Sequence, residues 1–313
     1  MRNVELRHLR YFIAVAEAGS VVAGARAVGI VQPALSRQIL ELEAAIGTPL
    51  LARKARGVQL TVAGESFLRD ARKLLADLQA SRDRALRCAA GEFGELRLGV
   101  LPNYLPSAVV TNVLRVFRAS CPEVKVSVDP MLSAEQVAAI ERRQLDGGIM
   151  AWRREEAPHL SGVVLLSDRF VLAMPALQTV QRARPTRLAD LTDLPFVWFD
   201  PVRSSAHHRF LMAQCERAGF TPRVTQIGGD IPTVLGLVAA GMGCAFVPES
   251  LSIVCPPTVR LVRLREVSNR FDVEFAFDEG AATPVVARFV QALRQVIGVG
   301  ERGTSVVADL AGQ

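Results

Sequence analysis

Residues 31–43, VQPALSRQILELE, decide how the first third of the chain is read. Leu35, Ile39, Leu42 and Ile46 recur at three- and four-residue spacing and form one apolar stripe, while Pro33, Ser36, Arg37 and Leu40 face the other way. Upstream, Leu6, Leu9, Phe12, Ile13 and Ala16 make an earlier stripe that ends at Gly19. Ser20 is placed to cap a second helix over 23–28, where Ala23, Gly24, Ala25 and Ala27 permit close helix crossing. Gly29 turns the chain into a third helix, 32–46, with Pro33 tolerated in its first turn and Gly47 and Pro49 beyond its end. Two short helices, a glycine turn and a third helix predict a helix-turn-helix. The third helix of such a unit enters the DNA major groove with its N-terminal side chains on base edges. Gln32 suits adenine, Arg37 suits guanine or phosphate, and Ser36 suits several bases. The next stretch, LLARKARGVQLT (50–61), predicts short strands at 50–51 and 58–60, a wing whose Arg53, Lys54 and Arg56 meet the phosphate backbone.

Charge supports that reading. Residues 1–90 carry 14 Arg and Lys against 8 Asp and Glu, and residues 91–313 carry 23 of each, so the whole net charge of +6 resides in the first third. A basic head on a neutral body suits a polyanion-binding module; the alternative is solubility alone. Thr61 then caps a helix predicted over 62–87, with Phe67, Leu68, Ala71, Leu74, Leu75, Leu78 and Ala85 on one stripe. A stripe about 39 Å long, at 1.5 Å per residue, is better matched by a second copy of the chain than by its own body. AAGEFGE (89–95) follows as a hinge.

From Glu95 onward strand-like and helix-like segments alternate, which predicts α/β layers with mostly parallel sheets. About 200 residues suit two lobes, placed at 94–164 plus 268–297 and at 165–267, with a disordered tail at 298–313. Ligands in such folds lie beyond strand ends, where helix starts leave N–H groups free. The candidate lining is Asn103 and Tyr104 after the first strand, and Ser133, which with Gln136 fits a capping box. Arg203 and Ser204 follow VWFDP, Ile231 follows Asp230 before the helix IPTVLGLVAAG, and Phe246 lies in the next strand. Hydroxyls, an amide and an arginine at helix starts suit a small carboxylate, although each can equally serve as an ordinary cap or surface group.

Other classes are disfavoured. No G-x-S-x-G, H-E-x-x-H or G-x-x-x-x-G-K-[ST] occurs and no complete G-x-G-x-x-G stands at a strand end, so an enzyme is not expected and no cofactor is called for. His207 and His208, adjacent on a helix, point about 100° apart and make poor co-ligands for a metal. The five cysteines are widely spaced and read as reduced thiols of a cytoplasmic protein. No apolar run is long enough to span a membrane or to form an export signal.

LRHLRYFIAVAEAGS (6–20), QPALSRQILELE (32–43), IGTPLLARKARGVQLTVAGE (46–65) and LVAAGMGCAFVPES (237–250) together resemble the LysR-type transcriptional regulators. The likeness runs from Leu6 to about Ile297 in the family's domain order. It implies a winged helix-turn-helix (1–61), a dimerising linker helix and hinge (62–93) and an effector-binding body like a periplasmic binding protein (94–297). It also implies DNA contacts from Gln32, Pro33, Ser36, Arg37 and Arg53, a near-palindromic duplex site read by a homodimer or homotetramer, and RNA polymerase as a candidate partner. The second lobe looks most like family members that govern catabolism of aromatic compounds, which implies an aromatic acid or ring-cleavage product as effector. The chain departs from the family pattern at Val31, where Ser or Thr is usual, at Leu40, often basic, and at Val21 and Val22. The alternative function is therefore an effector- or partner-binding sensor with weakened DNA binding.

Overall fold

The computed structural model describes residues 4–303 apart from 55–56, 177–184, 186, 204 and 268. The chain divides into two units, Met1–Leu86 and Arg87–Gln313. The first contains α1 (Leu6–Ala18), α2 (Val21–Val28), α3 (Gln32–Ile46), β1 (Leu51–Lys54), β2 (Gly57–Leu60) and most of α4 (Val62–Ala89). Ser20 Oγ accepts from Ala23 N and caps α2, which starts two residues earlier than its apolar pattern suggests. Phe12, Val15, Leu35 and Leu42 are fully buried, and Phe67 meets Phe12 edge-on at 5.4 Å. A Cβ on Gly24 would stand 3.0 Å from Val15 Cα, so α1 and α2 cross as closely as the small residues allow. Leu6 and Ile46, assigned to the stripes by spacing, are exposed because each lies at a helix end that overhangs the core.

The wing is tied to α3 by Glu43, whose Oε1 accepts from Leu50 N (2.8 Å) and Leu51 N (2.9 Å). β1 and β2 pair antiparallel, with Leu51 opposite Leu60 and Lys54 opposite Gly57, so β1 is longer than predicted. Gly57 has φ +100°, and a Cβ there would lie 2.3 Å from Gly19 O, the atom that accepts from Val58 N at 2.9 Å. Only glycine fits a backbone held that close. Thr61 caps α4 by accepting from Gly64 N at 2.9 Å. The helix has 28 residues, about 42 Å at the standard rise. Leu74, Leu78 and Leu86 along it are exposed.

The second unit contains β3 (Phe93–Val100), α5 (Ala108–Ser120), β4 (Glu123–Pro130), α6 (Ser133–Glu141), β5 (Gly147–Ala151), α7 (Arg153–Glu156) and β6 (Ser161–Pro175). It continues with β7 (Pro195–Phe199), α8 (Ser205–Arg217), β8 (Arg223–Gly228), α9 (Ile231–Ala239), β9 (Ala245–Pro248), β10 (Val259–Val262), β11 (Arg270–Phe277) and α10 (Pro284–Gly303). α10 runs past Ile297, so residues 298–303 are helical rather than tail; 304–313 lie outside the described residues.

The main sheet has the order β10-β6-β11-β5-β3-β4, with β9 also on β6. Among the described residues the parallel strand pairs are β3–β4, β3–β5 and, separately, β7–β8, with an isolated parallel bridge between Phe196 and Cys244. The expectation of mostly parallel sheets is corrected by β6. VVLLSDRFVLAM lies within this one 15-residue strand, and its antiparallel partners β11, β9 and β10 dominate the pairing. Ser161–Arg169 pair with β11, while Phe170–Ala173 pair with β9, so this strand passes from one lobe into the other. The charged pair at the crossing is fully engaged. Asp168 accepts from Tyr104 OH (2.9 Å) and Arg169 N (2.8 Å), and Arg169 Nε donates to Glu249 at 2.6 Å. Burial pushes the Cys215 and Cys244 thiols up to about 11, with Glu216 adding to the first, so both stay protonated at neutral pH.

Candidate DNA-reading surface and effector cleft

The exposed face of α3 follows from its buried one. With Leu35, Ile39 and Leu42 committed to the core, Gln32, Pro33, Arg37 and Leu40 must face outward and Ser36 lies at the edge. Gln32 Nε2 donates to Ser36 Oγ at 2.9 Å, which pre-orders the pair on the first turn. Arg37 Nε donates to Glu41 Oε1 at 3.0 Å, with the arginine side chain 81% exposed. Such an exposed i,i+4 pair is worth only a few tenths of a kcal/mol, so Glu41 holds the Arg37 guanidinium only weakly. Val31 is the N-cap and supplies no side-chain hydrogen bond; it is 70% exposed and Leu40 is 58% exposed. Arg53 and Lys54 stand exposed on β1 with no carboxylate partner among the described residues; Arg56 lies outside those residues.

The cleft of the second unit lies between the starts of α6 and α9. Asn103, Tyr104, Ser133 and Ile231 line it, as do Trp152, Phe170, Phe199, His207, Asp230 and Phe271. α9 is capped by Asp230, whose Oδ1 accepts from Thr233 N at 2.7 Å. At α6 the capping box read from Ser133 and Gln136 is corrected. Leu132 is the N-cap, its N–H donates to Glu135 Oε2 at 2.9 Å, and Ser133 is the first helical residue, 6% exposed. Gln136 is buried and donates instead to the carbonyls of Met131 (2.8 Å) and Ile149 (3.2 Å), fixing α6 to β5. The Ser133 hydroxyl is therefore released from the capping role.

One wall of the cleft is aromatic. Trp152 stacks on Phe271 (4.9 Å), Phe271 on Phe170 (4.8 Å) and Phe170 on His207 (5.0 Å), and Phe199 meets His207 edge-on at 5.0 Å. Trp152 has φ +65°, a left-handed backbone that costs a non-glycine residue roughly 1–2 kcal/mol and is common at binding sites. Burial, with His208 as a lesser contributor, lowers the His207 pKa to about 4, so its ring is neutral at physiological pH. Tyr104 is held protonated by burial and by the neighbouring Asp168 carboxylate.

Two sequence-read residues stand elsewhere. Phe246 packs behind the wall against Phe196 (5.5 Å) and Trp198 (6.1 Å), because its position in β9 directs it into the core. Arg203 lies outside the lining, donating to Gly229 O (3.0 Å) and Glu135 Oε1 (3.2 Å). Ser204 lies outside the described residues. The sequence reading missed Trp152, although it directly follows a strand end. It also missed Phe170 and Phe271, which lie within antiparallel strands where no strand-end rule applies.

A winged helix-turn-helix head and a two-lobed body with a cleft between its lobes define a DNA-binding regulator with a small-molecule receptor. Two family models match the chain: "Bacterial regulatory helix-turn-helix protein, lysR family" over residues 6–65 and "LysR substrate binding domain" over residues 89–298. The regulator YnfL of Escherichia coli K12 is 36% identical over 265 residues, 84% of this chain and 89% of the relative. The regulator TdfR of Cupriavidus pinatubonensis JMP 134 is 34% identical over 295 residues, 93% of this chain and 98% of the relative. The structure of full-length CbnR complexed with its target DNA superimposes with a TM-score of 0.80 at 30% identity, covering 94% of this chain and 99% of CbnR. The chain belongs to the LysR family of transcriptional regulators. Among the described residues no helix is long and apolar enough to cross a membrane.

Proposed function

We propose that this regulator acts in the cytoplasm, reads a near-palindromic duplex through paired N-terminal heads, and is switched by a small planar carboxylate bound between the lobes. Residues 1–61 form the head, 62–93 the coupling linker and 94–297 the receptor. Gln32, Ser36 and Arg37 contact bases or phosphates, and Pro33, Arg53, Lys54 and Arg56 follow the backbone. The observation that carries the effector reading is the pairing of a stacked ring wall, Trp152 to His207, with Asn103 and a released Ser133 hydroxyl at the start of α6. A planar acid lays its face on the rings and directs its carboxylate to the helix start, where unpaired backbone N–H groups favour negative charge. The acid must bind two lobe arrangements unequally, or nothing is switched. The receptor would pass that change through α4 to the spacing of two heads on DNA.

A melting-temperature screen against aromatic and aliphatic acids tests this reading. A saturable rise identifies the effector class. Asn103→Ala and Ser133→Ala should each weaken that response about tenfold, one lost hydrogen bond to a charged group, while leaving DNA affinity within twofold. Equal responses in parent and both variants would remove the helix start from the site. A second reading, a sensor with weak DNA binding, is favoured by the uncapped Val31 and exposed Leu40. It predicts no selection of any duplex from a random pool.

A further inference from the structure

We infer that the receptor has a second, apolar chamber beside the cleft and that it takes a hydrophobic substituent of the same carboxylate effector; this rests on the cleft being the effector site. The chamber shares Pro102, Asn103 and Ile231 with the cleft and continues between Pro106 on one lobe and Leu235, Gly236, Leu251 and Val254 on the other. It is an open groove of about 370 Å³ that runs on from Ile231, with Pro106, Gly236 and Val254 exposed along it. Its lining is almost wholly aliphatic, with Asn103 the polar side chain at the shared boundary. The occupant is therefore an alkyl or aryl group whose acid end stays at Ser133, rather than a second charged molecule.

Gly236 is the position from which the groove can be filled. It sits inside α9, where glycine is unfavourable for a helix. No neighbour demands it there: a Cβ built on Gly236 would meet nothing within 4 Å, and its φ lies outside the left-handed range. Gly236 is exposed and lines the apolar groove, so a longer side chain at this position projects into that space.

The test uses the full chain with benzoate, 4-propylbenzoate and 4-pentylbenzoate, read by tryptophan fluorescence, since Trp152 lies in the cleft wall. In the parent the pentyl acid should bind at least tenfold more tightly than benzoate, with one molecule per chain by calorimetry. Gly236→Leu should melt no lower than the parent and bind benzoate within about twofold of it, yet lose the gain from the alkyl chain. Equal affinity across the series in the parent, retention of the full gain in Gly236→Leu, or two molecules of the pentyl acid per chain would each overturn the chamber. Failure of all three acids to bind would overturn the reading of the cleft itself, and the chamber with it.

Discussion

His207 shows how one residue records the character of the receptor. Its ring is wedged between Phe170 and Phe199, and its Nε2 is buried without a hydrogen-bond partner. The unfolded chain takes up a proton near the ordinary pKa of 6.5, whereas the folded ring does so only at about 4. Stability from the neutral ring is thus fully present above pH 6.5 and is lost as pH falls towards 4. The window corresponds to about 3 kcal/mol. His207→Phe keeps the stacking and removes the proton site, so its melting temperature should fall less steeply than the parent's between pH 6.5 and 4. Parallel curves would show that the ring is solvated. Gly57 makes a different demand, since any side chain there meets Gly19 O. Gly57→Ala should cost about 2 kcal/mol in denaturant unfolding of the N-terminal unit, by backbone strain and displacement of the wing.

At the scale of elements, legibility followed periodicity. α3 was readable because Leu35, Ile39 and Leu42 repeat at helical spacing and are buried, and the apolar stripe of α4 was readable from its spacing alone, although Leu74 and Leu78 in it are exposed. β6 was not, because Asp168 and Arg169 interrupt an apolar run and imitate a turn. Their partners, Tyr104 and Glu249, are remote in sequence, so no local signal could show that both charges are satisfied. The cleft was half legible on the same logic. Helix starts announce themselves by caps and strand ends, whereas the ring wall is assembled from β6, β11 and α8, which meet only in the folded lobe. The exposed Leu74 and Leu78 on α4 carry their own prediction. If a second copy covers them, Leu74→Glu with Leu78→Glu should shift the sedimentation profile to a monomer and weaken DNA binding by more than tenfold, through loss of the paired head. An unchanged profile would place the subunit contact elsewhere.

For the whole molecule, the division of labour is a matter of charge. All of the surplus positive charge lies in residues 1–90, and the body is neutral, so the electrostatic attraction for DNA belongs to the head. The receptor cleft, the chamber beside it and the linker helix matter to transcription only if the exposed face of α3 meets DNA. The most direct measurement of that claim is the affinity of the full chain for a duplex selected from a random pool, followed across salt for the parent and for Arg37→Ala. We expect a steep linear fall of log affinity with log salt in the parent, and in the variant a weaker affinity with a slope smaller by about one counterion. Identical affinity and identical slope in the two proteins would contradict the account.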